Sequence, residues 1–353
     1  MPKILLSAHI LLAGCKLLLL FYWILSGSAS VVGGTSDGDY YHDFAIGLIT
    51  DDPTSYWPEL LNFLNSIDLY QRSVVVYVLV AINITIIPFL SYVLSRRLGA
   101  GVVASLVSAL FVQALPTNIL ISSDIYRDNV FVVLALIVAL LVAGRLKEYG
   151  IILEAFAVAV LAYIGFIFRP YFGFSLFLAY VALIFWSGWR PFRLGLTGWL
   201  VVSILVLFFL KSFGMLDSIF KYRGVEGFEV GGSTFGIGFF GKSFLEFYFL
   251  YLLNWIYQFF GFYLSDGFLS LGFFALESMP LLLGFWLYRA RIPHLGRCGV
   301  YILFFTAIYC SIWVMGNDNF GTAIRLRLPV YVLLYSMLGA LIFRDRAKPL
   351  GGR

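Results

Sequence analysis

Charge is confined to short clusters along this chain, and the runs between them are long and apolar. Val130 to Val142 and Leu196 to Leu210 carry no charged residue at all. With 12% of residues charged and 61% hydrophobic, a water-soluble globule would lack the polar surface to enclose such runs. The pattern predicts an all-α polytopic transmembrane bundle. Polar residues at the membrane edges then become the functional candidates, because lipid makes unpaired charge costly.

A chain of 353 residues holds about ten spans of roughly 20 residues each, with no room for a separate soluble domain. Residues 1–353 read as a single integral membrane domain, without internal repeat, low-complexity tail or long linker. The expected spans are 4–25, 73–94, 100–120, 129–144, 151–168, 172–188, 195–212, 271–289, 299–315 and 329–343. Alternate loops then carry Arg96/Arg97, Arg145/Lys147, Arg190/Arg193, Arg289/Arg291/Arg297 and Arg344/Arg346/Lys348. With Lys3, these would face the cytoplasm, which puts both termini inside. Nearly all acids fall on the other side, Glu148 and Asp345 excepted. Lys221, Arg223 and Lys242 oppose the bias, but in a longer outer loop where the rule is weaker.

The outer loops of consequence are 26–72 and 213–243, the second with eight glycines from Gly214 to Gly241 that would let it approach a ligand closely. Segment 244–264 is apolar enough to span, yet counting it would put Arg289, Arg291 and Arg297 outside. Its aromatics, among them Phe247, Tyr251 and Trp255, fit an interfacial or re-entrant helix on the outer face. The formal charge of +5 reports orientation and implies no nucleic-acid partner. Cys15, Cys298 and Cys310 are scattered in or beside apolar segments and form neither a disulfide framework nor a metal site. At the start, Lys16 interrupts what otherwise resembles a signal-peptide core followed by the small residues Ser26 to Ser30.

Four polar constellations fall on the outer face. The first loop carries Ser36 to Ala45, in which Asp37 or Asp39 could serve as a general base, or the two could hold a divalent cation. A solvated acidic loop is the plainer reading, and His42 there is equally explained by solvation. The second is Ser122 to Asn129, where Asp128 suits a helix N-terminus and Arg127 could pair with it or reach a phosphate. The third is Arg169-Pro170-Tyr171, a turn short enough to hold Arg169 at the surface, with snorkelling as the alternative. The fourth runs from Gly316 to Pro329, where Arg325 and Arg327 oppose the orientation bias, and a guanidinium fork suits phosphate oxygens. Inside the spans lie Glu277 and Lys16, placed to face a bundle interior and able to pair with one another.

Together these clusters resemble the GT-C superfamily of integral membrane glycosyltransferases, and within it family-39-like transferases and bacterial O-antigen or exopolysaccharide repeat-unit polymerases. The likeness rests on Asp37, Asp39, Tyr41 and Ala45 after the first span and on Arg127-Asp128 opening a middle span. It rests also on Asn319-Phe320-Gly321-Thr322 followed by Arg325, Arg327 and Pro329. It implies a retained first span, a polyprenyl-phosphate-linked glycan donor, a glycan acceptor, and chemistry on the periplasmic face of a bacterial inner membrane. Arg127, Arg169, Arg325 and Arg327 would then stabilise the leaving phosphate. Asp37 or Asp39 would take the acceptor proton. Asp128, Tyr41, Asn319 and Glu277 would support them, and Tyr40, Tyr41 and Trp57 would offer faces to sugar rings. Flippase or chain-length proteins are partners the resemblance brings with it, beside the membrane lipids themselves. The second outer loop departs from the pattern, being short and glycine-rich where many such enzymes carry a soluble domain. A transporter of lipid-linked glycans would instead want charges deep in several spans and two related halves. A non-catalytic scaffold would leave Arg325 and Arg327 without a purpose.

Overall fold

A computed structural model describes residues 1–26, 37–50, 53, 55–121, 124–144, 150–188, 196–217, 234–239, 241–263 and 268–342. The described residues are all-helical, joined by one isolated bridge between Thr234 and Asn319. In chain order the helices are α1 (Pro2–Ser26), α2 (Asp37–Ala45), α3 (Tyr56–Ser66), α4 (Arg72–Arg97), α5 (Val102–Ala114), α6 (Pro116–Leu120) and α7 (Asp128–Gly144). There follow α8 (Gly150–Phe168), α9 (Pro170–Gly188), α10 (Leu196–Ser212), α11 (Phe244–Phe260), α12 (268–288), α13 (Gly296–Gly316) and α14 (Phe320–Ile342). Nine of the ten expected spans each fall on one helix, whereas 100–120 is divided between α5 and α6 at Leu115. Among the described residues, six helical stretches are long and apolar enough to cross a membrane: Pro2–Leu19, Arg72–Arg97, Gly150–Phe168, Ser270–Ile292, Gly296–Gly316 and Phe320–Ile342. The basic clusters 145–147, 190–193 and 344–348, and most of the glycine-rich loop, lie outside the described residues.

The bundle is built around its last helix. In α14, 94% of the apolar window is buried, against α4, α5, α7, α11, α12 and α13. Without a water-driven force between helices in lipid, close backbone approach through small residues does the packing. Ser108 Oγ donates to Tyr335 O at 2.8 Å, Ser91 and Ser336 pair at 2.7 Å, and a Cβ on Gly339 would collide with Ser108. The last span begins at Phe320 rather than 329. Pro329 is inside the helix, where its missing N–H leaves the Arg325 carbonyl without its intrahelical donor. Neighbouring helices make such a break tolerable in a membrane bundle. Asn319 caps the new start, its Oδ1 accepting from Thr322 N at 3.0 Å. Asn319→Ala should therefore cost about 1 kcal/mol, read as a lower thermal unfolding midpoint.

Among the described residues, two helices contain π-turns, Ile82–Ile86 in α4 and Phe274–Ser278 in α12. Each ends two residues before a proline, Pro88 or Pro280. A proline ring clashes with the carbonyl four residues back, here Ile84 or Leu276, and the wider turn relieves that clash. The turns also carry Asn83 and Glu277, both fully buried. Helix α1 is peripheral, and Lys16 is its one buried residue among those described. Lys16 Nζ donates to Asn83 Oδ1 at 2.7 Å, and Asn83 Nδ2 donates to Asn118 Oδ1 at 2.5 Å and Asn129 Oδ1 at 2.9 Å. Lys16 and Glu277, which the sequence left open to pair, meet Asn83 and Arg327 instead. Helix α11 packs on α13 and α14, with Asn254 Nδ2 donating to Val314 O at 2.7 Å and Gln258 Nε2 to Asn317 O at 2.7 Å.

Candidate functional site

The polar clusters, far apart in sequence, converge at one end of the bundle. Arg169 occupies the turn between α8 and α9. Gly165 and Gly173 flank it, and a Cβ on Gly173 would collide with the backbone of Ala162 and Phe166, so the helices close tightly around the turn. Arg127 precedes α7, and its carbonyl accepts from Val130 N at 2.9 Å. Its guanidinium is held by Ser55 Oγ, just before α3. Trp57 Nε1 donates to Ile125 O at 2.9 Å, tying α3 to the same loop. Arg325 reaches in from the first turns of α14 and pairs with Asp37, the first residue of α2.

The three guanidiniums share aromatic and acidic neighbours. Arg127 lies 5.8 Å from the Tyr41 ring and 5.9 Å from Phe131, Arg169 lies 5.6 Å from Phe131 and 5.4 Å from Tyr171, and Arg325 lies 4.7 Å from Tyr126. Arg169 Nη1 stands 3.9 Å from Asp128 Oδ1, too far for a hydrogen bond. Arg127 is 8% exposed and the Asp128 side chain 5%. Three arginines facing the two carboxylates of Asp37 and Asp128 leave one net positive charge. Arg127 Nε and Arg169 Nη1 are buried without a hydrogen-bond partner among the described residues. Buried donors left unpaired are costly.

Partial desolvation alone would raise the pKa of the half-exposed Asp37, but Arg325, with Arg169 and Arg127 behind it, outweighs it and holds the carboxyl below its ordinary value. The Tyr41 phenol is pushed up by burial, with Arg127 opposing. Burial, with Arg169 close by, lowers the Arg127 pKa, as crowding of like charge requires.

Asp39 belongs to a neighbouring network. Arg72, at the head of α4, donates Nη2 to Asp39 Oδ1 at 2.8 Å and to Asp124 Oδ2 at 2.6 Å, and Nε to Asp124 Oδ1 at 3.1 Å. A Cβ on Gly38 would collide with the Asp124 carboxylate, so glycine is needed between the two acids. Asp37 and Asp39 are thus drawn to different arginines, and the donor set fits guanidinium pairing better than a shared cation. His42 Nδ1 lies 2.9 Å from the Tyr70 hydroxyl.

No protein-family model, curated protein or solved structure matches the chain.

Arg327 and Glu277 stand apart from the arginine cluster. Both are fully buried, and Arg327 Nη2 meets Glu277 Oε2 at 2.7 Å. Thr117 donates its amide to Glu277 Oε1 at 2.5 Å and its hydroxyl to Oε2 at 2.8 Å. Arg327 lies 4.9 Å from the Tyr331 ring, and a Cβ on Gly261, whose φ is +69°, would strike its guanidinium. Asn319 acts as a helix cap. Sequence reasoning missed Arg72 and Asp124, although Arg72 is a basic residue at the outer end of an expected span, the same anomaly that drew attention to Arg325.

Proposed function

We propose that the chain is a GT-C-like glycosyltransferase working on polyprenyl-phosphate-linked glycans at the periplasmic face of a bacterial inner membrane. Repeat-unit polymerisation in surface-polysaccharide assembly is the preferred activity, and transfer of a single sugar is the alternative within the class. The reading takes the bundle as about ten spans with both termini cytoplasmic and α11 at the outer interface. It is carried by one observation: Arg127, Arg169 and Arg325, from three separate segments, surround Asp37 and Asp128 with buried donors to spare.

On this reading the carrier phosphate sits among the arginines, which stabilise charge as it builds on the leaving group. Asp37 accepts the acceptor hydroxyl's proton, and direct attack inverts the anomeric centre. Arg327 holds α12 to α14 and does not touch the phosphate. An apolar cavity of about 230 Å³ between α11, α12, α13 and α14, walled by Phe259, Leu281 and Tyr331, offers hydrocarbon room; of these helices α14 carries Arg325.

A transporter of lipid-linked glycans is the second reading. It is favoured by the two proline-linked π-turns, each bearing a buried polar residue, since interrupted membrane helices recur at transport sites. The two readings part on the lipid-linked intermediates of cells lacking the protein. A missing polymerase leaves single repeat units on the carrier, exposed to the periplasm. A missing transporter leaves them facing the cytoplasm, where an externally added, membrane-impermeant glycan probe does not reach them. Accumulation on the cytoplasmic side would sink the enzyme reading.

A further inference from the structure

We propose that Asp37 is a built-in competitor for the arginine cluster, an internal anion that holds Arg325 until a ligand's phosphate group displaces it. This rests on reading the cluster as a phosphate site and goes beyond it by assigning what occupies Arg325 beforehand. The two carboxylates in the cluster are not equivalent. Asp128 is the first residue of α7, 5% exposed at its side chain and closed in by Arg169. The Asp37 side chain is 48% exposed, whereas that of its partner Arg325 is only 17% exposed. The acid is therefore the accessible member of the pair, and it can swing to water while the arginine stays.

Its neighbour shows what a fixed acid looks like in the same segment. Asp39 meets Arg72 together with Asp124, which grips that guanidinium through both oxygens. No comparable second carboxylate is hydrogen-bonded to Arg325 among the described residues. With Asp37 in place the cluster carries one net positive charge, and with Asp37 swung out it carries two. The open form thus suits a dianionic phosphate or diphosphate better than a monoanion.

Exchange would also set an order of events. While Asp37 faces three arginines its carboxyl is held below the ordinary pKa and is a poor proton acceptor. A phosphate that takes over Arg325 releases the carboxylate and neutralises the charges that depressed it. Basicity returns only once the donor is seated, so donor binding precedes proton removal from the acceptor.

The test is a calorimetric titration of inorganic pyrophosphate into the full-length protein in lipid nanodiscs at low salt. Wild type, Asp37→Asn, Asp37→Ser and Glu59→Gln are compared, each with a matching thermal unfolding curve. Glu59 is an exposed acid on α3 and serves as the bulk-charge control. Both Asp37 variants should bind pyrophosphate about fivefold or more tighter than wild type, with Glu59→Gln unchanged. Equal or weaker binding in the Asp37 variants overturns the proposal, as does equal tightening in all three. If neither wild type nor the Asp37 variants bind pyrophosphate at all, the phosphate-site reading fails as well. Tighter binding without glycan transfer by wild type would keep the exchange and remove the glycosyltransferase.

Discussion

Glu277→Ala should destabilise the protein by roughly 3–5 kcal/mol, the range for removing one partner of a buried ion pair. Its partner Arg327 has no exposure to relax into, and the two meet at 2.7 Å with both side chains fully buried. The carboxylate also accepts the amide and hydroxyl of Thr117, so the substitution leaves those donors unpaired together with the guanidinium. The loss should be felt across α6, α12 and α14, which this group holds together. Glu277→Leu combined with Arg327→Met removes both charges and should recover much of the stability, because the desolvation penalty disappears with the pair. Thermal unfolding in detergent of Glu277→Leu, Arg327→Met and the double variant closes the cycle. A double variant as unstable as the sum of the singles would show that the charges are not coupled.

That pair also shows where sequence reading ends. Clusters of charge between apolar runs made the bundle and its helices legible, since a span needs an uninterrupted apolar length. The role of Arg327 was not legible, because Pro329 looked like the start of the last span and so put both arginines in a loop. Once Phe320 opens the helix, residues two apart turn by about 200° and point to opposite sides. Arg325 then meets Asp37 and Arg327 meets Glu277. The same geometry separates Asp37 from Asp39 on α2, an ambiguity that no spacing argument in a loop resolves. The convergence of residues 37, 127, 169 and 325 depends on which helices neighbour which, and single-chain periodicity carries no such information. Asn319, expected to support the site, is seen as a cap only once the helix opens at Phe320 and its Oδ1 accepts from Thr322 N.

On the proposed glycosyltransferase function, Arg169→Ala should lower the rate of glycan transfer by about 10²-fold or more, the scale seen when one charge-stabilising donor is removed from a transition state. Arg169 sits in a turn that Gly165 and Gly173 draw tight, with Phe131 and Tyr171 beside its guanidinium. Its Nη1 has no hydrogen-bond partner among the described residues, so a donor is in position before any ligand arrives. Pre-set donors cost no reorganisation when charge develops, which is why removing one should appear in the rate more than in donor affinity. Arg169→Lys keeps the charge but not the planar fork, and should recover only part of the loss. The measurement is turnover of a lipid-linked donor by purified protein, with thermal unfolding to show that both variants are folded. If Arg169→Lys matches wild type, charge alone suffices and the fork plays no part in orienting the phosphate. If a folded Arg169→Ala also matches wild type, the phosphate does not sit among these arginines, and the proline-linked π-turns of α4 and α12 become the place to look for the ligand.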